Sequence, residues 1–585
     1  MRLEDYWGIG PKTRATLTEE LGVEAAIEAI ETADVRRLVE AGLARGRATR
    51  ILRHAHGGGA MDVLATRDAR DVYKRLLDIV SAHAVTADAA DRIRILTPLA
   101  DREAMEDRLA DVLAARDSWA GLDDAERTAV LGAFEAYEER ASGDLAAVRA
   151  ALELCDLGRT AGVFSPLAAI ETDRLEDAAA ALAGLEGGGS RVGAGADERL
   201  DTLRDQLGAV EDLAATPGDV VEAVQSGARG PDQLRDSLAR HVTTETGVDI
   251  ADVRAAMPDE ATDARGFVDG MLRALAAGRR EAVERREREV ADELEGVLEA
   301  TEEAVTAAVT AVDDIALDIS LARFALAFDL GEPRFVDRQV TGVVEARNVF
   351  LVDAGEPVQP VTYAVGDHDL EIASATVPPR DRVAVLTGAN SGGKTTLLET
   401  LCQVQLLAQM GLPVPATDTE VSPVDAVVFH RRHASFNAGV LESTLRSVVP
   451  PLTDTGRTLM LVDEFEAITE PGRAADLLHG LVTLTVEKEA LGVFVTHLAD
   501  DLEPLPETAR TDGIFAEGLT TDLELQVDYQ PRFETVGRST PEFIVSRLVA
   551  EADDRTERTG YETLAEAVGE SAVQRTLADA KWSES

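Results

Sequence analysis

Leu386-Thr-Gly-Ala-Asn-Ser-Gly-Gly-Lys-Thr-Thr396 is the stretch whose reading decides the fold. Gly388, Gly393, Lys394 and Thr395 stand in it at the spacing of a phosphate-binding loop, G-x-x-x-x-G-K-T. The flanks agree. Arg382-Val-Ala-Val-Leu386 reads as a short buried strand, and Thr396 to Met410 as an amphipathic helix stopped by Gly411, with Pro413 and Pro415 beyond. Glycines let backbone N–H groups turn inward onto phosphate oxygens, with a helix dipole behind them. The cradle would then be Gly388, Ala389, Asn390, Ser391, Gly392, Gly393, Lys394, Thr395 and Thr396. Lys394 would reach the β- and γ-phosphates, and the Thr395 hydroxyl would bind Mg²⁺. The plainer alternative is a glycine-rich turn between a strand and a helix.

Working outward, residues from about Phe335 are strand-rich α/β. Val340–Val344 and Val361–Val365 precede the glycine loop, and Ala426–His430, Thr458–Val462 and Gly492–Thr496 follow it. All are apolar and β-branched, and they interleave with helical patterns, which predicts a mostly parallel, covered sheet. Leu459-Met-Leu-Val-Asp463-Glu464 has the form of a strand that delivers carboxylates at its C-terminal edge. Asp463 would hold Mg²⁺ there, and Glu464 would orient or deprotonate an attacking water. Gly492-Val-Phe-Val-Thr-His497 ends a further strand in an imidazole that could sense a phosphate or position water.

Composition bounds the rest. The chain has 585 residues and a net charge of −50, with five lysines, so arginine supplies most of the positive charge. An acidic, lysine-poor chain is the usual pattern of salt-in halophiles, where negative charge maintains solubility. Aromatics are only 4%, so the cores are expected to be Ala, Val and Leu. Cys155 and Cys402 read as buried thiols rather than a disulfide or metal pair. No apolar run is long enough to cross a bilayer, and Met1–Trp7 does not read as a signal peptide, which predicts no membrane partner and a cytoplasmic, nucleoid-associated protein.

Residues 1–57 read as one unit closed by Gly57-Gly-Gly59. Trp7-Gly-Ile-Gly-Pro-Lys-Thr13 leads into a helix, and Val39–Arg47 with the helix Ala48–His54 forms a looser second copy. Helix, glycine hairpin, helix resembles the helix-hairpin-helix fold. The Gly8-Ile9-Gly10 turn would offer backbone N–H groups to a DNA phosphate. Lys12, Thr13, Arg45, Arg47 and Arg50 would add charge and a hydroxyl. This segment carries nine Lys/Arg and nine Asp/Glu, so it is neutral in an otherwise acidic chain, as a phosphate contact requires. A protein–protein hairpin pair that keeps its glycines is the alternative.

The middle is helical. Residues 60–196 are expected to form a helical core or lever ending in the glycine-rich 187–195, and 197–263 a clamp-like helical region. From about Ala264 one long helix is predicted, within a returning lever at 264–334. Val283, Val290 and Val297 stand seven apart, which suits a coiled-coil arm, with stacked core helices and a hidden break as the alternative. The α/β domain is expected over 335–550 and a helical tail over 551–585.

Thr387-Gly-x-Asn390-x-Gly-Gly-Lys-Thr395, the helix ending Met410-Gly-Leu-Pro-Val-Pro415, Asp463-Glu464 and Phe494-Val-Thr-His497 together resemble the ATPase of the MutS family. The likeness spans roughly 335–550 and reaches weakly upstream to Ala316–Ser320. It implies an ABC-type P-loop ATPase using ATP and Mg²⁺, with Lys394, Glu464 and His497 catalytic, Thr395 and Asp463 on the metal, and a head-to-tail homodimer with composite ATP sites. The trans signature would fall in 433–443, with either Ser435 or Ser443 as the contact; Glu470-Pro-Gly472 would stand in the D-loop region and Gly537-Arg-Ser-Thr540 at a C-terminal turn. Ala389 and Ser391 depart from the family's Pro and Met, and the signature segment is diverged. No mismatch-reading wedge domain is expected before the lever, and no nuclease domain in the tail.

The fold class so implied is multidomain α and α/β: an N-terminal helix-hairpin-helix unit, a long helical lever or coiled-coil clamp, and a C-terminal ABC-type P-loop ATPase. The expected function is an ATP-dependent, dimeric clamp on structured or duplex DNA, in repair or recombination. The rival readings are a tethering ATPase of the SMC kind and an ABC-type ATPase serving a membrane partner.

Overall fold

The computed structural model describes residues 2–139, 143–186, 191–225, 231–259, 263–370, 377–388, 393–432, 438–454, 456–465, 471–519, 525–537, 541–552 and 554–568. Ala389, Asn390, Ser391, Gly392, Ser435 and Glu470 therefore lie outside the described residues, as do the glycine-rich 187–190 and the end of the tail. The chain divides into one unit of Met1–Arg127 with Ile315–Ser585 and another of Thr128–Asp314. That division cuts through the expected segments 60–196 and 264–334.

The first unit opens with α1 (Pro11–Glu20), α2 (Val23–Glu31), α3 (Val35–Glu40) and α4 (Arg45–Gly57). Pro11 starts α1 where its missing N–H costs nothing. Asp34 caps α3 by accepting from the Arg37 amide. Leu17, Ile30, Leu38 and Leu52 share a core that also takes in Ile95, and Arg53 Nε donates to the Arg94 carbonyl at 2.6 Å. This packing carries the N-terminal helices beyond residue 57 and onto the next ones: α5 (Arg67–Ala82), α6 (Ala87–Arg94) and α7 (Arg102–Ala120). Thr66, Thr86 and Asp101 cap those three through side-chain oxygens.

The second unit is helical: α8 (Asp124–Glu139), most of which lies here, α9 (Asp144–Cys155), α10 (Thr172–Gly184), the two-residue strands β1 (Leu185–Glu186) and β2 (Arg191–Val192), then α11 (Glu198–Ala215), α12 (Pro217–Gln225), α13 (Pro231–Thr246) and α14 (Ile250–Ala255). α15 runs from Ala264 to Ala327 without a break, its residues from Ile315 belonging to the first unit. The seam of Val283 and Val290 packs on Val192 and Leu200 of the same chain. The seven-residue spacing thus reports a helix pair with α11, which Arg286 reinforces by gripping both oxygens of the α11 cap Asp197 at 2.9 and 3.1 Å.

Beyond α15 the chain forms two sheets. The strands are β3 (Arg334–Phe335), β4 (Val340–Ala346), β5 (Val361–Gly366), β6 (Val383–Gly388), β7 (Asp418–Val421), β8 (Ala426–His430), β9 (Thr458–Asp463), β10 (Leu491–Val495), β11 (Ala509–Leu519) and β12 (Leu525–Arg532). Helices α16 (Val349–Asp353), α17 (Lys394–Gln409), α18 (Ala438–Thr453), α19 (Pro471–Glu487), α20 (Pro541–Glu551) and α21 (Arg555–Val568) surround them. The larger sheet has the order β12-β11-β6-β10-β9-β8, parallel throughout except for the β11–β12 pair. The smaller, of order β3-β7-β4-β5, is mostly antiparallel.

Every residue of β6, β9 and β10 is buried, as expected of strands covered on both faces. Alternate side chains divide between two cores. Ala384, Leu386, Leu461 and Val493 face the cluster that holds α17 and α5, whereas Val383, Val385, Met460 and Phe494 face α18 and α19. The helix after the glycine loop begins at Lys394, two residues before the expected start, because Gly393 in the left-handed region (φ +73°) caps it.

Candidate functional site

Strand register assembles the site. Leu386 pairs with Val495, and Val495 with Asp463, so β6, β10 and β9 end level with one another. Whatever follows each strand therefore meets at one edge: Gly388 and Lys394 from the first, His497 from the second, Glu464 from the third. Ligands in parallel α/β sheets sit at this carboxyl edge. Thr395 Oγ1 donates to Asp463 Oδ2 at 2.6 Å, and Lys394 Nζ to the Gly388 carbonyl at 2.7 Å. Glu464 has φ +43°, a left-handed turn that a non-glycine residue rarely adopts, and its amide donates to Val495 O. The turn aims its carboxylate across the strand ends. One oxygen lies 2.9 Å from His497 Nε2 and the other 2.6 Å from Arg432. Lys394, Asp463 and Glu464 are all buried, while His497 is exposed.

A cavity of about 410 Å³ opens beside these groups. Lys394, Thr395, Thr396 and Glu464 line one side, Asn348 and Tyr529 another. Tyr529 closes over Gly393, where an added Cβ would come within 2.8 Å of the ring, so the cradle tolerates only glycine. Asn348 caps α16 through its oxygen and uses its amide nitrogen on Thr400 and Glu399 of α17.

The strand end is braced from behind. Thr387 Oγ1 donates to the Asp512 carbonyl at 3.0 Å and accepts from the Gly537 amide at 2.6 Å. Asp512 itself accepts from Tyr363 and from Arg510, and burial pushes its carboxyl above the usual range against the pull of Arg510. Burial likewise raises the Glu399 carboxyl, opposed by Arg431.

At the N-terminal hairpins, Gly8 is left-handed (φ +82°) and faces Ile51, and Gly10 is the cap of α1. Lys12 is exposed, but Thr13 is only 4% exposed, so its hydroxyl faces the core and not solvent. The arginines on the second hairpin have protein partners: Arg45 pairs with Asp91 at 3.5 Å, Arg47 donates to Gly8 O at 3.4 Å and Arg50 to Gly46 O at 3.2 Å. Trp7, 56% exposed, stacks on His54 at 3.8 Å.

Asn348, Tyr529 and Arg432 escaped sequence reasoning, although the pair Arg431-Arg432 at the end of an apolar strand was visible. Thr387 and Gly537 were each singled out, but not as partners. Among the described residues no group of three or more His, Cys, Asp or Glu is arranged to hold a metal, and no helix is long and apolar enough to cross a membrane.

The fold and site together define a multidomain α/β protein whose parallel sheet gathers a lysine, a hydroxyl, two acids and a histidine at one edge. The chain matches MutS domain V over residues 384–509. It is 43% identical over 217 residues to DNA-binding protein MutS2 of Pyrococcus furiosus, a match covering 37% of each chain. It is 31% identical over 195 residues to Endonuclease MutS2 of Thermomicrobium roseum, covering 31% of this chain and 24% of that one. A third relative, Endonuclease MutS2 of Thermus thermophilus, is 30% identical over 240 residues, or 40% of this chain and 29% of that one. The matches thus span between about a quarter and two-fifths of these relatives' lengths.

Proposed function

We propose that the protein is an ATP-hydrolysing, DNA-binding member of the MutS family. The observation that carries the hydrolytic part is the Thr395–Asp463 contact at 2.6 Å with Glu464 and His497 on the adjoining strand ends. A hydroxyl and a carboxylate in contact are the oxygen donors that Mg²⁺ takes beside phosphates, where it keeps its other positions for water and substrate. The residues present therefore fit the ion: Thr395 and Asp463 would hold it. When bound, Mg²⁺ neutralises charge on the phosphates.

The chain's own groups account for the rest. Lys394 leaves the Gly388 carbonyl for the β- and γ-phosphates. Glu464 accepts a proton from the attacking water, and His497 fixes the carboxylate's orientation. The water oxygen bonds to the γ-phosphorus while the bond to the bridging oxygen of ADP breaks, giving ADP, phosphate and a proton released to solvent. The Asn348–Tyr529 end of the cavity receives the nucleoside.

In this reading 335–550 is an ABC-type P-loop ATPase that pairs head to tail with a second copy, with Ser435 or Ser443 reaching across. The hairpins of 1–57 contact DNA backbone through Gly8, Gly10, Lys12, Arg45, Arg47 and Arg50, and 264–334 acts as the lever of a clamp in repair or recombination. The names of the Pyrococcus and Thermomicrobium relatives support DNA as the partner. Hydrolysis measured with duplex, forked, four-way and mismatched DNA tests the whole. Glu464→Gln is expected to bind ATP, to lose hydrolysis by 10²-fold or more, roughly the contribution of general-base catalysis, and to accumulate as dimer; Lys394→Ala is expected to lose nucleotide binding. Hydrolysis by Glu464→Gln at the parent rate refutes the assignment. Loss of residues 1–57 without loss of DNA binding refutes the role of the hairpins.

A further inference from the structure

The larger sheet ends at β8, and among the described residues no strand lies along its outer edge. An uncovered edge leaves alternate residues with unsatisfied N–H and C=O groups. Here the segment leading from α4 into α5 supplies them. Leu64 forms a parallel bridge with Val427, and Ala65 N donates to Val427 O at 3.2 Å. The Thr66 hydroxyl donates to Phe429 O at 2.6 Å and accepts from Phe429 N at 3.1 Å. Asp68, in the first turn of α5, accepts from Arg431 N at 2.8 Å. Residues 427, 429 and 431 are alternate positions, so one edge is held by main chain, then a hydroxyl, then a carboxylate. The clamp fixes the strand's end, just beyond which stand Arg431 and Arg432. Arg431 pairs with Glu399 on α17, while Arg432 takes the Glu464 oxygen that His497 does not.

We propose that Arg432 is a restraint on Glu464, seated by the Thr66–Asp68 edge clamp, so that the segment joining the N-terminal helices to α5 sets the basal rate of hydrolysis. This rests on Glu464 being the base of the reaction proposed above. A carboxylate held on both oxygens cannot turn toward water without breaking one contact. The contact with the arginine, whose side chain is 57% exposed, is the weaker to keep. Any ligand that displaces residues 58–66 through the N-terminal helices loosens the strand end and frees Glu464. Thr66 and Asp68 are positioning residues in this scheme.

The test uses the full chain and measures kcat and KM for ATP, together with the Kd of a fluorescent ATP analogue. Arg432→Ala is expected to raise basal kcat about five-fold, a barrier change of about 1 kcal/mol, with KM and the analogue Kd unchanged. Asp68→Ala should raise kcat in the same direction by roughly two- to three-fold, since it loosens the contact without deleting it. Arg432→Lys, which keeps a charge within reach, should return kcat toward the parent value. A misfolded variant cannot yield a gain. An unchanged or lower kcat for Arg432→Ala overturns the restraint, and so does an Asp68→Ala rate equal to the parent's. Glu464→Gln separates the two readings: inactive alongside an unaltered Arg432→Ala, it sinks the restraint alone; fully active, it sinks the assignment of Glu464 and the restraint together.

Discussion

Replacing Arg510 by Met should be among the most damaging single changes in the α/β body. Arg510 is 4% exposed and lies against Asp512, which is fully buried. Its Nε donates to both carboxylate oxygens at 3.0 and 3.1 Å, and a terminal nitrogen donates to the Ala364 carbonyl at 2.6 Å. The side chain also spans the Tyr363 and Phe533 rings. Met preserves much of the volume but leaves the carboxylate buried with, among the described residues, the Tyr363 hydroxyl and the Glu534 amide as its remaining donors. Orphaning one member of a buried pair costs about 3–5 kcal/mol. For a cooperative unit of this size that lowers Tm by about 6–20 °C, at roughly 2–4 °C per kcal/mol.

The pH dependence has a definite sign. Burial already raises the Asp512 carboxyl against the opposing pull of Arg510. Without the guanidinium it rises further. Between the ordinary carboxylate value and the raised one, the native state holds a proton that the unfolded state has lost, so stability falls as pH rises through that window. The Tm deficit of Arg510→Met should therefore be larger at pH 8 than at pH 5. Arg510→Met/Asp512→Asn, which removes both charges, should recover part of the loss. Calorimetry at the two pH values decides: a deficit under about 3 °C, or one equal at both pH values, refutes the view that an orphaned carboxylate is the cause.

Other outcomes follow from the same packing. Burial holds the Cys402 thiol well above its ordinary range and, less strongly, raises that of half-buried Cys155; a maleimide should label the native protein slowly at Cys155, with Cys402 reacting only on unfolding, as read by peptide mass. Gly537→Ala would put a Cβ 2.8 Å from Thr387 O and 2.9 Å from Gly388 Cα. It should cost about 1–3 kcal/mol and weaken nucleotide-analogue binding by displacing the start of the glycine loop; an analogue Kd equal to the parent's refutes that link.

Local patterns that repeat within a few residues were legible. The apolar runs before Gly388, Asp463 and His497 are the strands β6, β9 and β10, because a strand covered on both faces must be apolar at every position. What the pattern does not carry is neighbourhood. Nothing in 491–497 says that this strand lies between the other two, and only that insertion brings His497 to Glu464. β7 was missed because Asp-Thr-Glu-Val reads as polar; Glu420 is nonetheless buried, neutralised by Arg334 and Arg338, which lie more than eighty residues away in sequence. The heptad seam in α15 was visible, but its partner α11 was not, since Val283 and Val290 would serve equally well against another chain. Thr13 reads as a polar residue beside a glycine turn, yet it is packed inward.

The site's rigidity is unevenly distributed, and that unevenness bears on control. On the β11 side the end of β6 is closely hemmed in: a Cβ on Gly388 would lie 2.2 Å from Ile514 O, and one on Gly513 would lie 2.4 Å from Gly537 N. Three backbones meet there without side chains between them, fastened by the Thr387 hydroxyl. On the β8 side no such contact occurs among the described residues. The inner edge of that strand pairs with β9, and its outer edge is held by a hydroxyl, a carboxylate and one short main-chain bridge, all from a segment more than 360 residues earlier. Net hydrogen bonds of about 1 kcal/mol each hold that edge, against a steric stack that cannot yield without moving backbone. A signal entering through the N-terminal helices would therefore alter Glu464 and its arginine well before it disturbed the loop around Lys394. Control of the rate can then be separated from control of nucleotide affinity, so variants of the clamp should change kcat while leaving KM in place.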